Sequence, residues 1–132
     1  MKIEKIDHIC IAVKDLPKAQ KTLEETFDLK LDVLYVAERE KIKVARYYVG
    51  EVALELMEST SPDGEVAKFL ARRGEGVFLI SFKISDVDAA LAELKQKGIR
   101  LIDQEPRSLM GHKFAFIHHP KDLWGLLAEV IE

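Results

Sequence analysis

Apolar residues along this chain switch between a spacing of two and a spacing of three to four, and they do so twice. From Ile6 to Val13 the apolar positions alternate and are rich in branched side chains, which predicts a strand. Leu16, Ala19, Leu23 and Phe27 then recur at helical spacing as a buried stripe, with Asp15 as cap and Pro17 in the first turn. Three extended segments follow, near Leu31–Val36, Ile42–Val49 and Val52–Met57, with Gly50-Glu51 as a tight turn between the last two. The stretch "SPDGEVAKFLARRGEG" reads as a short helix with Val66, Phe69 and Leu70 inward, stopped at Gly74.

The second half repeats this order. Val77–Ile84 is a strand, and Ser85-Asp86 caps a helix whose Val87, Ala90, Leu91 and Leu94 face inward before Gly98 ends it. Ile99–Ile102, Lys113–Ile117 and Leu126–Ile131 supply three more strands. Laid over each other, "IDHICIAVKDLPKAQKTL" and "VFLISFKISDVDAALAEL" match Ile9 with Ile80, Val13 with Ile84 and Asp15 with Asp86. The expected fold is therefore α+β: two tandem βαβββ modules, about residues 1–74 and 75–132, forming one domain around a shared sheet-lined cavity. A repeat of about seventy residues is too long for a solenoid unit.

Alternation along a strand sends successive side chains to opposite faces. Ile9, Ile11 and Val13, and likewise Ile80, Phe82 and Ile84, should pack on the helices. His8, Cys10 and Ala12, with Leu79, Ser81 and Lys83, then line the cavity. Glu55 in "ALELM" and Glu129 in "LLAEVI" match under the duplication, each a lone carboxylate in an apolar strand. Burying an unpaired carboxylate costs roughly several kcal/mol, so each needs a cation, a proton or water. Lys83 is a candidate partner for either. The sharpest break in the repeat is His8, which meets Leu79.

Composition narrows the class. The chain has 132 residues, 48% hydrophobic and 33% charged, with net charge −3, the profile of a soluble globular protein. No basic field calls for nucleic acid, and no apolar run approaches the roughly 20 residues that span a bilayer. The single cysteine, Cys10, excludes an internal disulfide and points to a reducing cytoplasm.

The stretches "IDHICIAVKDL", "ELMESTSPDGEVAKFLARRGEG", "DVDAALAELKQKGIRLID" and "HPKDLWGLLAEV" resemble the vicinal-oxygen-chelate superfamily, and within it the methylmalonyl-CoA epimerases, over nearly the whole chain. The resemblance implies a homodimeric isomerase of an acyl-CoA that abstracts a proton beside a thioester with the help of a divalent metal. It makes His8, Glu55 and Glu129 ligands, with Glu129 nearest to the base role. One nitrogen and two oxygens suit cobalt, manganese, nickel or zinc. Leu79 stands where those proteins carry a further histidine ligand, and "IKVARYYV" lacks the carboxylate that some place on the third strand. His118 is one substitute for the missing imidazole; His112 is expected on a loop. The competing expectation is a metal-free small-molecule-binding protein of the bleomycin-resistance type. A third is isomerisation of a glutathione adduct. Structural readings stand beside these: His8 as a hydrogen-bonded strand residue, Cys10 as a small buried filler or a thiolate ligand, Trp124 as a packing or entrance residue. Arg72, Arg73, Lys113 and Lys121 are surface cations or contacts for acyl-CoA phosphates.

Overall fold

The computed structural model describes residues 1–132. In chain order its elements are β1 (Lys5–Ala12), α1 (Leu16–Phe27), β2 (Leu31–Ala37), β3 (Ile42–Val49), β4 (Val52–Ser59), α2 (Glu65–Arg73), β5 (Gly76–Lys83), α3 (Val87–Gln96), β6 (Arg107–Leu109), β7 (His112–Phe116) and β8 (Leu127–Ile131). Strand, helix and three strands thus occur twice, with α2 between the two series. The residues form two compact units, His8–Phe78 and Met1–Asp7 with Leu79–Glu132.

In the unit His8–Phe78, β2, β3 and β4 form an antiparallel meander, and β4 continues onto β1 in parallel. Val49 faces Val52 across the β3–β4 connection, so its loop is Gly50-Glu51 alone. Gly50 sits at φ 59, the backbone region that a two-residue hairpin asks of its first loop residue and that other residues adopt only with strain. Helix α1 begins at Asp15, whose side chain accepts the Lys18 amide at 3.1 Å. It lays Leu16, Ala19 and Leu23 on Val13, Ala45, Tyr47 and Leu56. Phe27 does not join this stripe: it is 64% exposed. The helix ends there with Asp28 in the left-handed region, and Leu29 returns to the core in its place.

In the other unit β5 pairs in parallel with β8, and β8, β7 and β6 are antiparallel. Asp86 caps α3 by accepting the Ala89 amide at 2.9 Å, and Val87, Ala90, Leu91 and Leu94 are buried against Ala115, Ile117, Ala128 and Val130. The strand expected at Ile99–Ile102 is reduced to a single bridge between Leu101 and His118. The Asp103 carboxylate takes the Phe116 amide and holds Arg107, so the chain turns away, and the ladder resumes at β6. His112 opens β7 rather than lying on a loop, because Met110 and Gly111, both at positive φ, make the turn that sets it opposite Leu109. Trp124, at positive φ in a turn, is 88% exposed and so is not the packing residue it could have been. No helix is long and apolar enough to cross a membrane.

Candidate functional site

Alternation places the chemistry. Ile11 of β1 and Val13 just after it, Leu54 and Leu56 of β4, and Ala45 and Tyr47 of β3 turn toward α1. Their neighbours His8, Cys10, Glu55 and Arg46 therefore share the opposite face. Register brings these side chains together: Cys10 lies beside Glu55 across β1 and β4, and Arg46 lies opposite Glu55 across β3 and β4.

Glu55 is buried, with 4% of its surface exposed. Its two oxygens have different neighbours. Oε2 accepts the Arg46 Nε proton at 2.9 Å. Oε1 lies 3.8 Å from Cys10 Sγ and 3.8 Å from His8 Nε2. The guanidinium of Arg46 also lies over the Tyr35 ring, 5.7 Å from its centroid. Burial opposes the charge on Arg46, but the hydrogen bond to Glu55 and its negative charge outweigh it and hold the guanidinium more basic than usual. Burial, followed by the nearby Glu55 charge, pushes the Tyr35 phenol up to about 12.

The cation that Glu55 requires is thus Arg46, rather than Lys83. Sequence reasoning had the signal for it: a two-residue turn at Gly50-Glu51 forces 49 onto 52 and hence 46 onto 55. β3 lacks a carboxylate, and its contribution to the site is this cation instead.

In the unit that holds Glu129, Leu79, Ser81 and Lys83 alternate with Phe82 and Ile84, which belong to the helix-facing core. Ser81 lies beside Glu129 across β5 and β8, and its hydroxyl donates to Oε1 at 2.6 Å. Ser81 and Glu129 are both buried. Each unit therefore sets a small donor, Cys10 or Ser81, against a buried glutamate at matching positions. Two differences distinguish them. Leu79, 4% exposed, replaces His8, and Phe116 faces Glu129 where Arg46 faces Glu55. His118, at its single bridge, has a buried Nδ1 without a hydrogen-bond partner. His119 caps the short turn Pro120–Asp122, and Lys113 pairs with Asp88.

The ligand atoms of His8, Cys10 and Glu55 all lie within 4.8 Å of one another. Tetrahedral ligands on bonds of about 2.2 Å stand about 3.6 Å apart. The 3.8 Å separations from Glu55 Oε1 are therefore near what a shared ion needs, and a nitrogen, a sulfur and an oxygen form a set that borderline divalent ions accept. The residues fit such an ion.

A model of the Glyoxalase/Bleomycin resistance protein/Dioxygenase superfamily matches residues 7–116. An uncharacterized protein of Bacillus subtilis is 34% identical, over 98% of this chain and 93% of its own. The mitochondrial methylmalonyl-CoA epimerase of Homo sapiens is 27% identical, over 96% of this chain and 72% of its own. A Streptomyces coelicolor methylmalonyl-CoA epimerase variant, solved in complex with 2-nitronate-propionyl-CoA, superposes with a TM-score of 0.89 at 36% identity, over 98% of this chain and 94% of that one.

Proposed function

Because the chain belongs to the Glyoxalase/Bleomycin resistance protein/Dioxygenase superfamily, we propose that it is a methylmalonyl-CoA epimerase-like isomerase. The observation that carries this reading is the buried Glu55 carboxylate facing His8 and Cys10, on a scaffold shared with epimerases along nearly its whole length.

The proton between a thioester and a carboxylate is weakly acidic, and taking it from one face and returning it to the other inverts the centre. His8 and Glu55 hold a divalent ion in this reading, with Cys10 beside them. Arg46 fixes the Glu55 carboxylate so that Oε1 is presented to His8 and Cys10. Glu129 is assigned as a further ligand and as the base, on the ground of its match to Glu55 in the duplication and of the family resemblance. The Ser81 hydroxyl orients its carboxylate for proton transfer. The ion, when bound, supplies Lewis-acid stabilisation of the enediolate. The same reading makes the protein a cytoplasmic homodimer acting on an acyl-CoA.

The test is to measure metal bound to the purified protein and to follow solvent deuterium into methylmalonyl-CoA. Exchange that depends on added cobalt and is lost in Glu129→Gln supports the assignment; no exchange with cobalt present removes it. Leu79 and the Arg46–Glu55 pair favour a second reading, because they satisfy the site without an ion. In that case the protein binds a small molecule on the same scaffold. Divalent ions then leave the melting temperature unchanged, whereas the epimerase reading expects a rise that His8→Ala abolishes.

A further inference from the structure

Arg46 does more than neutralise Glu55. Its hydrogen bond to that carboxylate runs through Nε to a single oxygen. The Tyr35 hydroxyl also hydrogen-bonds the guanidinium, and the N–H donors that remain can take another acceptor. The exposure of the pair is lopsided: 31% of the Arg46 side chain is accessible, against 6% of Glu55. The buried carboxylate anchors the guanidinium, while part of the Arg46 side chain can be reached from solvent. Tyr35 lies under the plane, which limits rotation of the group. A planar group held in one orientation by Glu55 and Tyr35, with N–H donors left over from those two bonds, can bind a second carboxylate.

Position supports this use. Arg46 shares a sheet face with His8, Cys10 and Glu55, the residues assigned to the chemistry. At the matching place in the other module Phe116 stands opposite Glu129.

We infer that Arg46 binds the free carboxylate of the substrate, and so selects thioesters of the malonyl type over simple acyl thioesters. The inference rests on the epimerase reading for the substrate class, and its test separates the two. Binding of methylmalonyl-CoA and of propionyl-CoA, which lacks the carboxylate, is measured by calorimetry on the full chain, with and without cobalt. The unmodified protein should prefer methylmalonyl-CoA by about ten-fold or more, the scale of a charge-assisted contact. Arg46→Gln should bring that ratio close to one with little change for propionyl-CoA, and Arg46→Lys should keep part of it. Should Arg46→Gln fail to fold, Arg46→Gln combined with Glu55→Gln removes the unpaired buried charge and carries the same expectation. A preference that survives the loss of the guanidinium overturns the inference, as does an equal weakening of both ligands. Discrimination lost in Arg46→Gln, in a protein that exchanges no deuterium, supports the Arg46 assignment while removing the epimerase one.

Discussion

Replacing Arg46 by Met keeps much of the aliphatic stem and deletes the charge. Glu55 is then a carboxylate with 6% side-chain exposure and no cationic guanidinium. Breaking a fully buried pair by removing one partner costs about 3–5 kcal/mol. Arg46 is 31% exposed, so water can partly replace it, and the expected loss falls to about 2–3 kcal/mol. Urea denaturation near neutral pH measures it directly. The control is the same substitution in a Glu55→Gln background, where the neutral amide asks for no counter-charge and the loss should shrink below about 1 kcal/mol. The cycle should therefore show a coupling of at least about 1 kcal/mol. Equal losses in the two backgrounds would mean that Arg46 stabilises through packing on Tyr35 alone, and the electrostatic account of the buried glutamate would be wrong.

Two further expectations follow from burial. Leu91→Ala, in a side chain 2% exposed in the α3 core, should cost about 2–4 kcal/mol. Phe27→Ser, at a position 64% exposed, should stay within about 0.5 kcal/mol; denaturant midpoints distinguish them. Tyr35 should ionise near 12 in a spectrophotometric titration, above the ordinary 10, because burial and the Glu55 charge disfavour the phenolate. The folded phenol holds its proton more tightly than the unfolded one. Its contribution to stability is thus complete below pH 10 and is lost as pH rises toward 12. Replacing Tyr35 by Phe should remove that step from the alkaline unfolding curve.

Much of the fold was legible because local chemistry repeats. Asp15 and Asp86 stand at the same offset from their strands, and both cap helices. Alternation also separated core from site: the parity that sends Ile11, Val13, Leu54 and Leu56 to α1 sends His8, Cys10 and Glu55 the other way. What failed was what periodicity cannot carry. Phe27 fits the helical stripe, but the helix stops at that turn and Leu29 fills the core instead. Ile99–Ile102 has the composition of a strand, yet the bonds of Asp103 to Phe116 and Arg107 redirect the chain. Cys10 reads as filler until the parallel register places it beside Glu55, as Ser81 is placed beside Glu129. Arg46 needed the hairpin register rather than composition to be found.

The duplicated βαβββ order leaves this chain with a spare template. One copy keeps imidazole, thiol and guanidinium around its acid; the other sets a hydroxyl beside its acid and carries leucine and phenylalanine at the places of the imidazole and guanidinium. Because the helix-facing positions carry the folding, replacements on the other face can change what a half binds without disturbing how it is built. Leu79 and Phe116 therefore mark the places where a histidine or an arginine could be introduced to build a second centre, and where selection has room to move one.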